Sequence, residues 1–187
     1  MFNTISRKFH AWTTGWRVIV LLVAFGLMMG YVMPLAGGIL ALAANNSVTP
    51  LDLMFFFTPE QAFDMIEKYG EAGRSLYFRI ELTADILYPI IYTLFFGLLL
   101  SWLFQRAFQP GSSMQKLNVL PLGMFFFDLL ENIGVVSMLS MYPAIPSILA
   151  WVTMLFGTLK WGLFAVTVGL VLVGLVRAAM KRFRKQA

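Results

Sequence analysis

The chain has 187 residues, 59% of them hydrophobic and only 12% charged, with a mean hydropathy of +0.78. A soluble protein of that balance would carry more apolar surface than it could bury, so the composition predicts a multipass membrane protein. The formal charge of +5 invites a nucleic-acid reading that the positions of the charges oppose, and the absence of cysteine excludes disulfides, thiolate catalysis and Cys-ligated metals.

Arg7, Lys8 and the single histidine, His10, precede the first apolar stretch, at about 17–43. His10 stands far in sequence from the other polar groups, which argues against a His-based zinc site or a Ser-His-Asp triad. Ala41-Leu42-Ala43 resembles a signal-peptide cleavage site. The apolar run before it exceeds the roughly 7–15 residues of a signal core, so an uncleaved first span is expected. Gly15, Gly26, Gly30, Gly37 and Gly38 suit close helix packing in lipid. Pro34 leaves the carbonyl of Gly30 without its helical partner, so a kink is expected there.

A long loop follows, at about 44–83, with helix signals of its own. Thr58-Pro59-Glu60-Gln61 supplies an N-cap, a proline at the first helical position and a Gln three residues after the cap. A short helix is therefore predicted from Pro59 to about Tyr69, stopping near Gly70. Its apolar positions Ala62, Phe63, Ile66 and Tyr69 would lie on the membrane surface or against the bundle, as a packed cap or as a lid over a site.

After Gly73 the helical pattern resumes and continues into a second span at about 84–104. Arg74, Phe78, Glu81, Asp85, Tyr88 and Tyr92 recur at three and four residues and form one stripe that carries polarity from the loop into the membrane. Pro89 has no N–H, so the backbone carbonyl of Asp85 is released as a further acceptor.

The third span, at about 117–141, places Asp128, Glu131 and Asn132 on one face. Two carboxyls so close in a low dielectric require a cationic partner or a retained proton. Lys160, near the middle of the fourth span at about 148–176, is the natural partner, on a face it shares with Thr153, Gly157 and Thr167. The links between spans two and three, Gln105 to Lys116, and between three and four, Tyr142 to Ser147, read as connectors, and 177–187 reads as a basic tail suited to anionic head groups.

Ten of the 14 Lys and Arg fall at the two termini or between spans two and three, so the positive-inside rule puts both termini in the cytoplasm. The expected fold is all-α: a polytopic bundle of four transmembrane helices with a short amphipathic helix in the extracytoplasmic first loop.

The combination Tyr69-Gly70-Glu71-Ala72-Gly73-Arg74, Asp85-Ile86-Leu87-Tyr88-Pro89 and Asp128-Leu129-Leu130-Glu131-Asn132 resembles an uncharacterised group of small four-span bacterial membrane proteins. The likeness covers most of the chain from Pro50 to Gly162. It implies a bacterial inner-membrane location and carries no activity.

Ionisable groups inside a bilayer are costly and mark functional sites by default. The reading favoured by the sequence is a pocket open to the extracytoplasmic side that binds a lipid-like or small amphipathic ligand, with Arg74, Arg79, Tyr88, Tyr92, Asn132 and Lys160 as ligand-binding residues. A membrane enzyme would use Asp85, Asp128 and Glu131 as general acid and base. A structural subunit would use the same cluster only to lock its helices. A Mg²⁺ or Ca²⁺ site from the oxygens of Asp85, Asp128, Glu131 and Asn132 is the weaker alternative, and no cofactor is expected. The expected partners are membrane lipids, with no nucleic acid; a transporter built on four spans would need to oligomerise.

Overall fold

The structure is a computed structural model that describes residues 2–184. Among the described residues the chain is helical, with turns and loops between helices. The helices are α1 (Phe2–Trp12), α2 (Gly15–Leu27), α3 (Met33–Ala44), α4 (Pro59–Lys68), α5 (Gly70–Glu81), α6 (Ala84–Ala107), α7 (Pro121–Met141) and α8 (Ser147–Arg184). Among the described residues four stretches are long and apolar enough to cross a membrane: Gly15–Ala44, Gly70–Ala107, Ser113–Met141 and Ser147–Phe183. The expected all-α polytopic bundle is the architecture found.

The proline in the first stretch acts through a change of helix type. Met28–Val32 is a π-helical turn, in which the N–H of Met33 donates to the carbonyl of Met28, five residues earlier. Widening the turn just before Pro34 accommodates a ring that would collide with the carbonyl four residues back in a regular α-helix. The first loop behaves as its signals dictate. Thr58 accepts from the Gln61 N–H at 3.4 Å while the Gln61 side chain accepts from the Thr58 N–H at 2.9 Å, a reciprocal cap that starts α4. Gly70 then takes a φ of 62°, the left-handed geometry that glycine adopts without a Cβ penalty, and α5 begins there.

The structure departs from the sequence reading at two joints. α5 and α6 are separated by a turn at Leu82–Thr83, where the Thr83 hydroxyl donates to the carbonyl of Arg79 at 2.6 Å. The segment 177–184, read as a tail, continues α8 as helix, while Lys185 and the residues after it lie outside the described residues.

The chain divides into two compact units. The first, made of 1–25, 90–125 and 161–187, contains α1, which the sequence reading left without structure. Phe9 of α1 packs where Gly97 has no side chain; a Cβ there would meet the ring at 2.9 Å. A polar set secures the same helix: the buried Asn118 amide donates to the carbonyl of Ser6 at 3.1 Å and to the Ser101 hydroxyl at 2.8 Å. His10 lies 3.0 Å from the Gln115 carbonyl, and the Gln105 amide donates to the His10 carbonyl at 2.9 Å. The apolar core of this unit is Leu100, Leu103, Phe104, Ala107 and Phe108, with Leu170 and Val171 of α8 packed against it.

The second unit, made of 26–89 and 126–160, is where the first loop is built into a core. Leu51, Ala62 and Ile66 are fully buried with Leu40, Val135 and Met138. α4 is thus a packed cap, its apolar face spent on neighbouring helices. α7 and α8 approach closely in this unit through glycine: a Cβ at Gly134 would collide with Thr153, and one at Gly157 would collide with the Glu131 carboxylate.

Candidate functional site

The polar residues of the second unit gather around α7. Asp128, Glu131 and Asn132, spaced by three and four residues, are all buried, as are Asp85 and Lys160. The Lys160 ammonium is paired with the Glu131 carboxylate, with Asp128 at 3.8 Å on its other side. Lys160 can reach them because Gly157, one turn earlier on α8, leaves the space that the Glu131 carboxyl occupies. Thr153 and Gly157 share this buried face, as the spacing predicted. An ion pair so placed replaces the water each charge has lost, and removing one partner would strand the other.

Pro89 has the consequence expected of it, with a definite recipient. The Asn132 amide donates to the carbonyl of Asp85 at 2.7 Å, in a buried position. The acceptor released by the proline therefore ties α6 to α7 and is not left for a ligand.

The structure also recruits residues that carried no site role in the sequence reading. Asp52, in a short 3₁₀ turn at Leu51–Leu53, accepts from the Tyr77 hydroxyl at 3.0 Å, and the same hydroxyl accepts from the Leu51 N–H at 2.9 Å. Tyr69 donates to the Thr49 carbonyl at 2.7 Å and meets the Tyr77 ring edge-on at a centroid distance of 5.2 Å. Burial, reinforced by the charges of Asp52 and Glu81, holds the Tyr69 hydroxyl well above the ordinary tyrosine range, so it stays a donor. One turn beyond Tyr77, Glu81 is 0% exposed, and neither of its carboxyl oxygens has a hydrogen-bond partner. The Tyr77 hydroxyl lies near it, but its one hydrogen is turned to Asp52. The charges of Asp85, Asp52 and Glu131 all bear on Glu81.

The remaining sequence candidates divide. Tyr88 is half-buried and lies within electrostatic reach of Asp128, Lys160 and Asp85. Arg74 is half-buried, donates to the Ile66 carbonyl at 3.3 Å and covers the Tyr142 ring at 4.0 Å, so its guanidinium is engaged by the protein. Arg79 is exposed. Tyr92 is buried but belongs to the other compact unit. The stripe read from spacing therefore contributes Glu81, Asp85 and Tyr88 to this cluster.

No family model, characterised protein or solved structure matches the chain.

Chemically the cluster has a completed part and an incomplete part. Lys160 with Glu131 and Asp128, and Asn132 with the Asp85 carbonyl, are mutually satisfied arrangements that hold α6, α7 and α8. Glu81, beside Asp85, is a buried acceptor that the protein leaves unserved. Among the described residues, no three Asp, Glu or His side chains converge closely enough to hold a metal ion.

Proposed function

We propose that this protein is a multipass protein of the bacterial inner membrane that binds a lipid-like or small amphipathic ligand at its intramembrane polar cluster. The carrying observation is Glu81, a fully buried carboxyl with no partner on either oxygen. Buried polar groups in native proteins are paired almost without exception, and an unpaired one calls for a functional account. A cluster that served only to lock helices would be complete with Lys160, Glu131, Asp128 and Asn132. The apolar surroundings suit an alkyl chain.

The charge distribution supports an orientation. All nine acidic residues fall in the second unit, and ten of the 14 basic residues fall in the first. By the positive-inside rule the first unit's termini and α6–α7 link face the cytoplasm, and the first loop faces outward. A reporter active only outside the cytoplasm should be silent when fused after Lys185 and active when inserted after Asn46.

The test of the binding reading is mass spectrometry of the full chain purified in a mild detergent. An amphiphile should co-purify at a fixed ratio, and Glu81→Gln or Asp85→Asn should release it while the protein stays folded. Retention of the same lipids at the same ratio by both variants would refute the reading and leave the cluster as a helix lock.

A further inference from the structure

The chemistry of the unserved group points to the chemistry of its ligand. Glu81 offers two carboxyl oxygens without a partner, and the nearby donors are committed. Tyr77 has a single hydroxyl hydrogen, given to Asp52. Tyr69 gives its own to Thr49, Asn132 donates to the Asp85 carbonyl, and Lys160 sits between Glu131 and Asp128. Acidic groups also dominate by count. Among the described residues, buried Glu81, Asp85, Asp128 and Glu131 stand against one buried amine. Of the two arginines on α5, Arg74 is turned to Ile66 and Tyr142 and Arg79 is exposed. A phosphate head would find no released donor there.

From this we infer that the ligand carries a cationic, hydrogen-bond-donating head, a primary ammonium on an alkyl chain, received by Glu81 and Asp85 beside Asp52 and the Tyr69–Tyr77 pair. The inference rests on the binding reading above and specifies its ligand class. A metal ion fits less well, because the carboxyls do not converge into a shared coordination shell. An ammonium group has three donors and is served by two carboxyls and one neutral oxygen, so it needs no third carboxyl in its shell. Charge-assisted hydrogen bonds to carboxylates in a dry site are the strongest available to such a head.

The experiment uses the full chain in neutral maltoside micelles and two probes of equal chain length, decylammonium and decyl phosphate. Affinity is read from tryptophan fluorescence in wild type, Glu81→Gln, Asp85→Asn and, as a control, Arg74→Gln. Decylammonium should bind about tenfold or more tighter than decyl phosphate, the worth of one charge-assisted hydrogen bond. Glu81→Gln or Asp85→Asn should erase that preference, and Arg74→Gln should keep it. Two carboxyl variants are included so that one that fails to fold leaves the other to decide. Equal binding of both probes, tighter binding of decyl phosphate, or a preference unchanged in the carboxyl variants would overturn the ammonium assignment and leave an amphiphile-binding protein. Binding of neither probe, with no co-purified lipid, would overturn both.

Discussion

The link between Pro89 and Asn132 makes a prediction whose magnitude follows from its geometry. The Asp85 carbonyl has lost its helical donor to the proline and takes a 2.7 Å hydrogen bond from the Asn132 amide instead, with Asn132 only 4% exposed. Asn132→Leu keeps much of the volume and strands the carbonyl, at a cost of about 1–3 kcal/mol for an unsatisfied buried group. Pro89→Ala supplies a backbone N–H at the position that the helical ladder expects. In the Pro89→Ala background the carbonyl is served from within α6, so Asn132→Leu should cost less. Side-chain hydrogen bonds inside membrane proteins couple by about 0.6 kcal/mol on average and up to about 1.7 kcal/mol, which is the interaction energy expected from the cycle. The assay is unfolding of the four proteins, wild type, two singles and the double, under one reversible detergent condition. If the two penalties simply add, within the roughly 0.3–0.5 kcal/mol typical of independent sites, the carbonyl does not depend on Asn132 and the reasoning fails.

Three further outcomes are expected. Lys160→Met should destabilise the protein by about 3–5 kcal/mol by stranding Glu131 and Asp128, and the triple variant with Glu131→Gln and Asp128→Asn should recover most of that loss in the same unfolding assay. Gly157→Ala should cost about 1–3 kcal/mol by driving a Cβ onto the Glu131 carboxylate, whereas Gly162→Ala, which meets open space, should fall within about 0.5 kcal/mol of wild type; equal effects would refute the close-approach argument. Thr58→Ala should weaken the α4 cap by about 1 kcal/mol, seen as faster amide exchange over 59–68. In the same helix, the backbone hydrogen bond at Glu60, helped by the Thr58 hydroxyl, holds its carboxyl below the usual range. That contribution is present above the unfolded-state carboxylate pKa and is lost as pH falls through the folded one, so Glu60→Gln should flatten the acid-induced rise in α4 exchange.

What the sequence made legible were features set by spacing or by covalent chemistry. Asp128, Glu131 and Asn132 had to share a face, a buried lysine had to seek carboxylates, and a proline had to free the carbonyl four residues before it. Each relation holds within one helix, or follows from a cost that only one available partner can relieve. Asp52 was not legible, because its place beside Tyr77 depends on how the chain from Val48 to Met54 folds back onto α5, a tertiary event without a periodic signal. α1 was missed for a different reason. Its packing pattern is short, Ile5, Ser6 and Phe9, and its polar partners Gln105, Gln115 and Asn118 lie about a hundred residues away. The importance of Glu81 likewise needed tertiary information, since a side chain on a polar stripe is conspicuous only once every neighbouring donor is seen to be committed elsewhere.

The π-helical turn at Met28–Val32 bears on insertions and deletions more than on substitutions. Elsewhere in a spanning helix, removing one residue turns everything beyond it by about 100° and carries lipid-facing side chains inward. Within 28–32 a deletion can be absorbed by the wide turn closing to an ordinary one, so the faces before and after it keep their phase. The first span therefore holds one residue in reserve. A chain shortened by one at Met29 should retain the exposure pattern of α2 and α3, and one shortened at Val20 should scramble it.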